Sequence, residues 1–362
     1  MSMKPVVAVA MSGGVDSSIT AALLVEQGFT VIGMMLRLWG EQDSERANRC
    51  CTPDSMAMAR RVASLLSIPF YVLDARQLFY DAVIKSFIHD YTHNLTPNPC
   101  IVCNRMVRWG FLLDHALAAG ADFLATGHYA RITQNSNHTF QLLRGIDSSK
   151  DQSYVLHVLT QNHLHHAMFP LGEYKKQEVR QMAHQYNLPV AERSDSQDLC
   201  FVGADGDYRQ FLARYAPQDL LPGQIVDQQG NILGYHQALA FFTIGQRKGL
   251  HLTSPTPLYV LEKDISKNIL IVGPHDNSGS DSLVIENVNW VAGEPPDLPF
   301  AALVKIRYKA QDMSGVVNSI SNNTYQVKFE NLVRDITPGQ AAVLYNGEVC
   351  LGGGKISNLS DI

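Results

Sequence analysis

No lysine stands where a Walker loop needs one in this 362-residue sequence, and no apolar run approaches the length of a membrane span. The first absence removes the common kinase and GTPase phosphate loop, and the second removes an integral membrane helix. No second paired-cysteine or paired-histidine motif follows Cys100-x-x-Cys103 at zinc-finger spacing, so a structural zinc site is not expected. The six cysteines form no regular framework, which fits reduced thiols rather than a secreted disulfide scaffold. The chain enters an apolar strand at once, without the pattern of a leader, and a cytoplasmic location is expected. A net charge of −5 speaks against a generally basic coat but leaves room for a local basic face. Hydrophobic residues make up 46% and charged residues 17%, the balance of a globular protein of two or three domains.

The most informative stretch is Val6 to Ser18. Its small and β-branched residues read as a strand buried on both faces, stopping at Ser12-Gly13-Gly14 before a helix from Asp16 to Gln27. Strand, glycine turn and helix together aim backbone N–H groups and a helix N-terminus at an anion. A second strand, Phe29 to Leu36, should end beside this loop at the carboxyl edge of a parallel sheet, where ligands of open α/β sheets bind. Met35 there is either a backbone neighbour of an adenine or a core methionine.

Leu38 to Cys51 reads as an irregular loop containing Cys50 and Cys51, followed by a helix from Pro53 to Leu66 and a strand at Pro69 to Asp74. The prolines of Thr96-Pro97-Asn98-Pro99-Cys100-Ile101-Val102-Cys103-Asn104 imply extended backbone leading to a helix from about Met106 to Ala119. A thiol ahead of a helix is biased toward thiolate by the dipole. Cys100-x-x-Cys103 alone admits a redox pair, half a metal site, or one catalytic thiol with a neighbour. Asp122 to Tyr129 is a fourth strand whose end places Gly127 and His128 at the same sheet edge. Lys150-Asp151-Gln152 precedes a helix that Asp151 or Ser153 could cap. Cys200 lies in a strand-like run, Asp195 to Val202. Beyond Gly203 the chain turns to short strands: hairpins at 222–234 and 258–272, a strand from Phe241, and then regularly spaced strands from Leu283 to Gly353 suggesting a small barrel. Lys305, Arg307 and Lys309 alternate along the expected strand Phe300–Tyr308 and so form a basic strip, with Tyr308 opposite.

The motifs SGGVDSS, TPNPCIVCN, ATGHYAR, KDQSYVL, DSQDLCFVG, FTIGQRKGL, KIRYKA and ITPGQAAVLY occur in this order across nearly the whole chain. Together they resemble the tRNA-specific 2-thiouridylases of the PP-loop ATP pyrophosphatase superfamily. The resemblance implies an α/β fold with a parallel-sheet PP-loop catalytic domain (1–205), a small mainly β central domain (206–276) and a C-terminal β-barrel (277–362). It implies ATP-dependent thiolation of C2 of the wobble uridine of tRNA, with magnesium at the phosphates.

By the same resemblance Ala10, Met11, Ser12, Gly13, Gly14, Val15, Asp16 and Ser17 hold the ATP phosphates, with Met35 and Gly127 near the nucleotide. Cys200 carries a persulfide and Cys103 is its partner thiol. Asn98, Pro99 and Cys100 touch the target base, and His128, Lys150, Asp151, Gln152, Arg307, Tyr308 and Gln340 contact tRNA. The implied partners are tRNAs with Lys, Glu or Gln anticodons and a persulfide donor, either a cysteine desulfurase or a sulfur relay, acting on a monomer. One departure matters most. The family pattern has Asp where this chain has Cys100, which leaves open a second thiolate, a resolving thiol, or a ligand with Cys103 and Cys200 of an iron–sulfur cluster. Tyr235 to Ala238 also departs from the usual Asp and Gly.

Overall fold

The computed structural model describes residues 4–40, 52–194, 199–202, 207–277 and 279–357. Cys50, Cys51 and most of the loop expected before Pro53 lie outside these residues, as do Asp195 to Asp198. Five parallel strands form the first sheet: β1 (Val6–Ala10), β2 (Thr30–Arg37), β3 (Phe70–Asp74), β4 (Phe123–Ala125) and a short Ala167–Met168 strand at its edge. The order places β1 centrally, between β2 and β4. Val7, Ala8 and Val9 are fully buried, with Ala8 facing one core cluster and its two neighbours facing another. Two-sided burial is why this strand reads as an unbroken apolar run.

Helix α1 (Val15–Glu26) follows β1, and α2 (Pro53–Leu65) precedes β3. Thr52 caps α2, its hydroxyl accepting from Ser55 N–H at 3.0 Å. Residues 76–92 form a third continuous helix, α3, and residues 99–118 a fourth, α4. The helix expected from Met106 therefore starts seven residues earlier, at Pro99. Proline at the first helical position is pre-set for the helix and loses no needed donor, so Pro99 begins the helix it was expected to delay. Asn98 before it is extended, at φ −117° and ψ 91°.

The hairpin of β5 (Ala130–Gln134) and β6 (Phe140–Arg144) was not anticipated. It leaves the α/β layer and joins the C-terminal sheet, where β6 pairs with the chain's last strand through Leu143↔Val349 and Leu142↔Cys350. That last strand, Val349–Ile356, also pairs with Ser280–Trp290, closing a ring with Phe300–Lys305, Met313–Ser321, Thr324–Val333 and Ala341–Asn346. The expected barrel is present. Its second strand ends at Lys305, however, and a turn follows in which Ala310 N–H bonds Arg307 C=O at 3.0 Å. Lys305 is buried and Arg307 pairs with Asp335, so the alternating basic strip does not exist.

Between these units, Gly223–Val226, Ile232–His236, Tyr259–Asp264 and Ile269–Gly273 form a separate four-stranded sheet. The strand expected from Phe241 is a short 3₁₀ turn instead, followed by turns at Gly245 and Gly249, both with φ +81°. Among the described residues no helix is long and apolar enough to cross a membrane.

Candidate active site

The loop after β1 is tied at both ends. Met11 N–H bonds Met34 C=O at 2.7 Å, anchoring it to β2, and the Ser18 hydroxyl donates to Gly14 C=O at 2.8 Å. Ser12 N–H is bonded by the Ser17 hydroxyl at 3.1 Å. Gly14, the N-cap of α1, has no side chain closing the helix end. The positive end of the helix dipole therefore faces the sheet's carboxyl edge uncovered, which suits a phosphate. Gly13 adopts φ +74°, and a Cβ there would lie 2.2 Å from Ser55 C=O on α2. Across the loop, a Cβ on Gly127 would meet the Asp16 carbonyl carbon at 2.9 Å and Ser17 N at 3.0 Å. Both glycines are required by packing. Met35 is fully enclosed, one residue past the Ala10↔Met34 pair.

The loop acquires two cations that its own sequence lacks. Lys176 Nζ bonds both carboxylate oxygens of Asp16, at 2.7 and 2.8 Å, from 160 positions further along the chain. Tyr129 OH donates to the same carboxylate at 2.9 Å. Arg193 donates to Gly13 C=O at 3.0 Å and to Asp54 at 2.6 Å. Sequence reasoning missed both residues. Lys176 did carry a signal, because it opens a helix (Lys176–Gln185), the end where a cation is disfavoured. Arg193 carried none. Replacing Lys176 by Met should weaken ATP binding about tenfold, or ~1.4 kcal/mol, as judged by calorimetric titration. Unchanged affinity would restrict Lys176 to holding Asp16.

Cys103 is 8% exposed within the core cluster that extends from β2 through α3 and α4 to the barrel, and Cys200 packs against that cluster half-buried. Leu199 to Val202 is a turn, with Val202 N–H bonding Leu199 C=O at 3.3 Å, not a strand. The turn is held by its aromatic neighbour: Phe201 lies edge-on to Phe87 at 5.0 Å and to Phe79 at 6.0 Å on α3. Cys100, on the first turn of α4, is exposed. From Cys103 to Leu112 the helix widens to π hydrogen bonding, a distortion that recurs at functional sites.

Residues 5–204 match the family model described as a tRNA methyl transferase HUP domain, 209–274 the tRNA methyl transferase PRC-barrel domain, and 280–356 an aminomethyltransferase beta-barrel domain. The tRNA-specific 2-thiouridylase MnmA of Magnetococcus marinus is 48% identical over 97% of this chain and 98% of its own length. Those of Chloroflexus aggregans (46%) and Natranaerobius thermophilus (43%) match over 97% and 98% of the chain, and each over 98% of its own length. The chain belongs to the tRNA-specific 2-thiouridylase family.

The side chains that the 2-thiouridylase resemblance assigns to tRNA divide into two groups. His128 and Asp151 are buried. Arg108 can only donate, so its 3.1 Å contact makes His128 Nε2 the acceptor, and Nδ1–H then donates to the Thr126 hydroxyl at 2.6 Å. Burial, and then Arg108, hold the His128 pKa well below the usual imidazole value, and the ring is neutral. Asp151 accepts from Gly145 N–H and Ser153 N–H at 3.1 and 3.0 Å, while the N-cap of the short helix Ser153–Leu156 is Gln152, with no side-chain cap. Gln152 accepts from Tyr129 N–H at 3.0 Å. These three brace the sheet edge from inside.

Tyr308, Arg307 and Lys150 keep solvent-facing surface. Burial, then the charges of Asp151, Cys100 and Asp147, push the Tyr308 phenol up. Gln340 donates to Thr96 C=O at 2.9 Å, and Thr96 N–H bonds Pro338 C=O at 2.9 Å. The barrel thus grips the segment that leads into Asn98, Pro99 and Cys100. Among the described residues no three His, Cys, Asp or Glu side chains stand close enough together to hold a metal, so Cys100, Cys103 and Cys200 do not converge as a ligand trio in this conformation.

Proposed function

We propose that the chain transfers sulfur to C2 of uridine 34 in tRNA, consuming ATP. The observation that carries this is the uncovered PP-loop helix end after β1, together with Cys103 in, and Cys200 against, the core cluster that β1 enters through Ala8. The C2 oxygen of uracil leaves poorly as hydroxide. Joined to AMP it becomes a good leaving group, and pyrophosphate departs into the loop Ala10 to Ser17. Magnesium would balance the phosphate charge, with Asp16 the nearest carboxylate in that loop.

A persulfide on Cys200 supplies the sulfur. Attack of the Cys103 thiolate on the inner sulfur releases hydrogensulfide and joins Cys103 to Cys200; hydrogensulfide then displaces AMP at C2. The base must leave its stack to reach the site, and single-stranded anticodon bases do so at modest cost. Asn98 and Pro99 open the helix that bears Cys103, which suits them to hold the base. Lys150, Arg307 and Tyr308 offer the exposed contacts to tRNA. Asp151, Gln152 and Gln340 serve the same surface by fixing its backbone, and His128 by orienting the Arg108 and Thr126 side chains. The domain boundaries near 205 and 276, action as a cytoplasmic monomer, and a desulfurase or sulfur relay as donor belong to the same proposal.

Incubation of anticodon stem-loop transcripts of the Lys, Glu and Gln type with ATP and a persulfide donor tests the reading. Mass spectrometry of the digested RNA should show a 2-thiouridine at the wobble position together with one AMP per sulfur. ATP cleavage without thiolation, or thiolation without AMP, would overturn it.

A further inference from the structure

We propose that Cys100 is the resolving thiol of this enzyme, attacking Cys103 and moving the disulfide from the Cys103–Cys200 pair onto an exposed Cys100–Cys103 pair. This rests on the persulfide route above and extends it. In that route each turnover leaves an oxidised protein that must be reset by thiols from solution. Cys103 is 8% exposed within the core cluster, and Cys200 is half-buried against it. An external thiol must approach along the axis of the S–S bond, and the buried Cys103 end of such a bridge is shielded from that approach. Cys100 is exposed at the mouth of the same helix.

The local backbone favours the exchange. Cys100 and Cys103 stand three residues apart at the start of α4, and Cys103 is α-helical at φ −59° and ψ −43° with its N–H bonding Pro99 C=O. Cα atoms three residues apart in an α-helix are ~5 Å apart. That separation lies inside the ~4.4–6.8 Å that a disulfide spans. Cys100 is the second residue of its helix, so its N–H is outside the intrahelical ladder and its side chain can adjust without breaking a helical bond.

The step balances without an oxidant. The Cys100 thiolate attacks Cys103 sulfur, the Cys103–Cys200 bond breaks, and Cys200 leaves as thiolate. Two molecules of a small thiol then reduce Cys100–Cys103 and leave as their own disulfide. Cys200 is released before that reduction, so it can accept the next persulfide sulfur while the pair is still oxidised.

The test uses the full chain, loaded at Cys200 by a cysteine desulfurase and free cysteine, then freed of small thiols. After one turnover with ATP and a tRNA transcript, acid quenching, alkylation and non-reducing peptide mass spectrometry identify the bridge. The wild-type chain should hold Cys100–Cys103, whereas Cys100→Ser and Cys100→Asp should hold Cys103–Cys200. Glutathione should reduce the variants at least about tenfold more slowly. Circular dichroism confirms folding of both. A wild-type chain that retains Cys103–Cys200 overturns the resolving role and leaves the persulfide route standing. Thiolated RNA with no protein disulfide overturns both.

Discussion

Cys200→Ser and Cys103→Ser should each reduce 2-thiouridine formation by about a thousandfold or more, while ATP–pyrophosphate exchange in the presence of tRNA persists. A serine at 200 cannot form a persulfide, and a serine at 103 cannot attack one, because an unactivated hydroxyl is a far weaker nucleophile than a thiolate at neutral pH. On the proposed route neither residue takes part in adenylation, so the activated base should form and then revert or hydrolyse. The two halves of the reaction are thereby separated in one pair of variants. The structure favours clean interpretation: both changes replace sulfur by oxygen at positions where the surrounding aromatic side chains are unaltered. Exchange that disappears along with thiolation would mean that the thiols shape the nucleotide site. Thiolation that survives in Cys200→Ser would remove the persulfide from the mechanism.

Gly127→Val should abolish exchange and ATP binding with little loss of folded protein. Its Cβ would stand 2.9 Å from the Asp16 carbonyl carbon and 3.0 Å from Ser17 N. Both obstacles are backbone atoms of the first turn of α1, so the helix end has to move rather than a side chain swing away. Overpacking of this kind costs ~1–3 kcal/mol. The cost falls on the site itself, since Gly127 is at the end of β4 and only half-buried. Adenylation should drop at least about a hundredfold, equivalent to ~2.7 kcal/mol, with the thermal midpoint shifted by a few degrees. Gly127→Ala makes the same contact with one carbon and should show a smaller loss in the same direction. Exchange at the native rate in Gly127→Val would show that the helix end is not where the phosphates bind.

The PP-loop was legible in the sequence because its chemistry is local: a buried strand, two glycines and a helix within a dozen residues. The parallel sheet around it followed from short apolar runs at regular intervals. Long-range partners were not legible. Lys176 and Arg193 reach the loop from beyond the fourth strand, and only the awkward placement of a lysine at a helix start hinted at either. The α4 helix was placed too late because Pro99 reads equally as a breaker and as a first helical residue, and the backbone before it decides which. The strand Phe300–Tyr308 was drawn too long, since alternation continues in sequence after Lys305 whereas the hydrogen-bonded ladder stops. Arg307 was therefore assigned to a basic strip, when a turn directs it to Asp335. Tyr308 was placed opposite that strip, at a strand position it does not occupy.

The β5–β6 hairpin has a temporal side. A ribosome completes these two strands long before their partner, Val349–Ile356, which lies far downstream. Until then β6 is an open edge, rimmed by Phe140, Leu142 and Leu143, and the Tyr154 hydroxyl lacks the Ala341 carbonyl that it bonds at 2.8 Å. The nascent chain must keep this edge from pairing with other chains until that partner emerges. Completion of the catalytic half thus waits for Val349–Ile356.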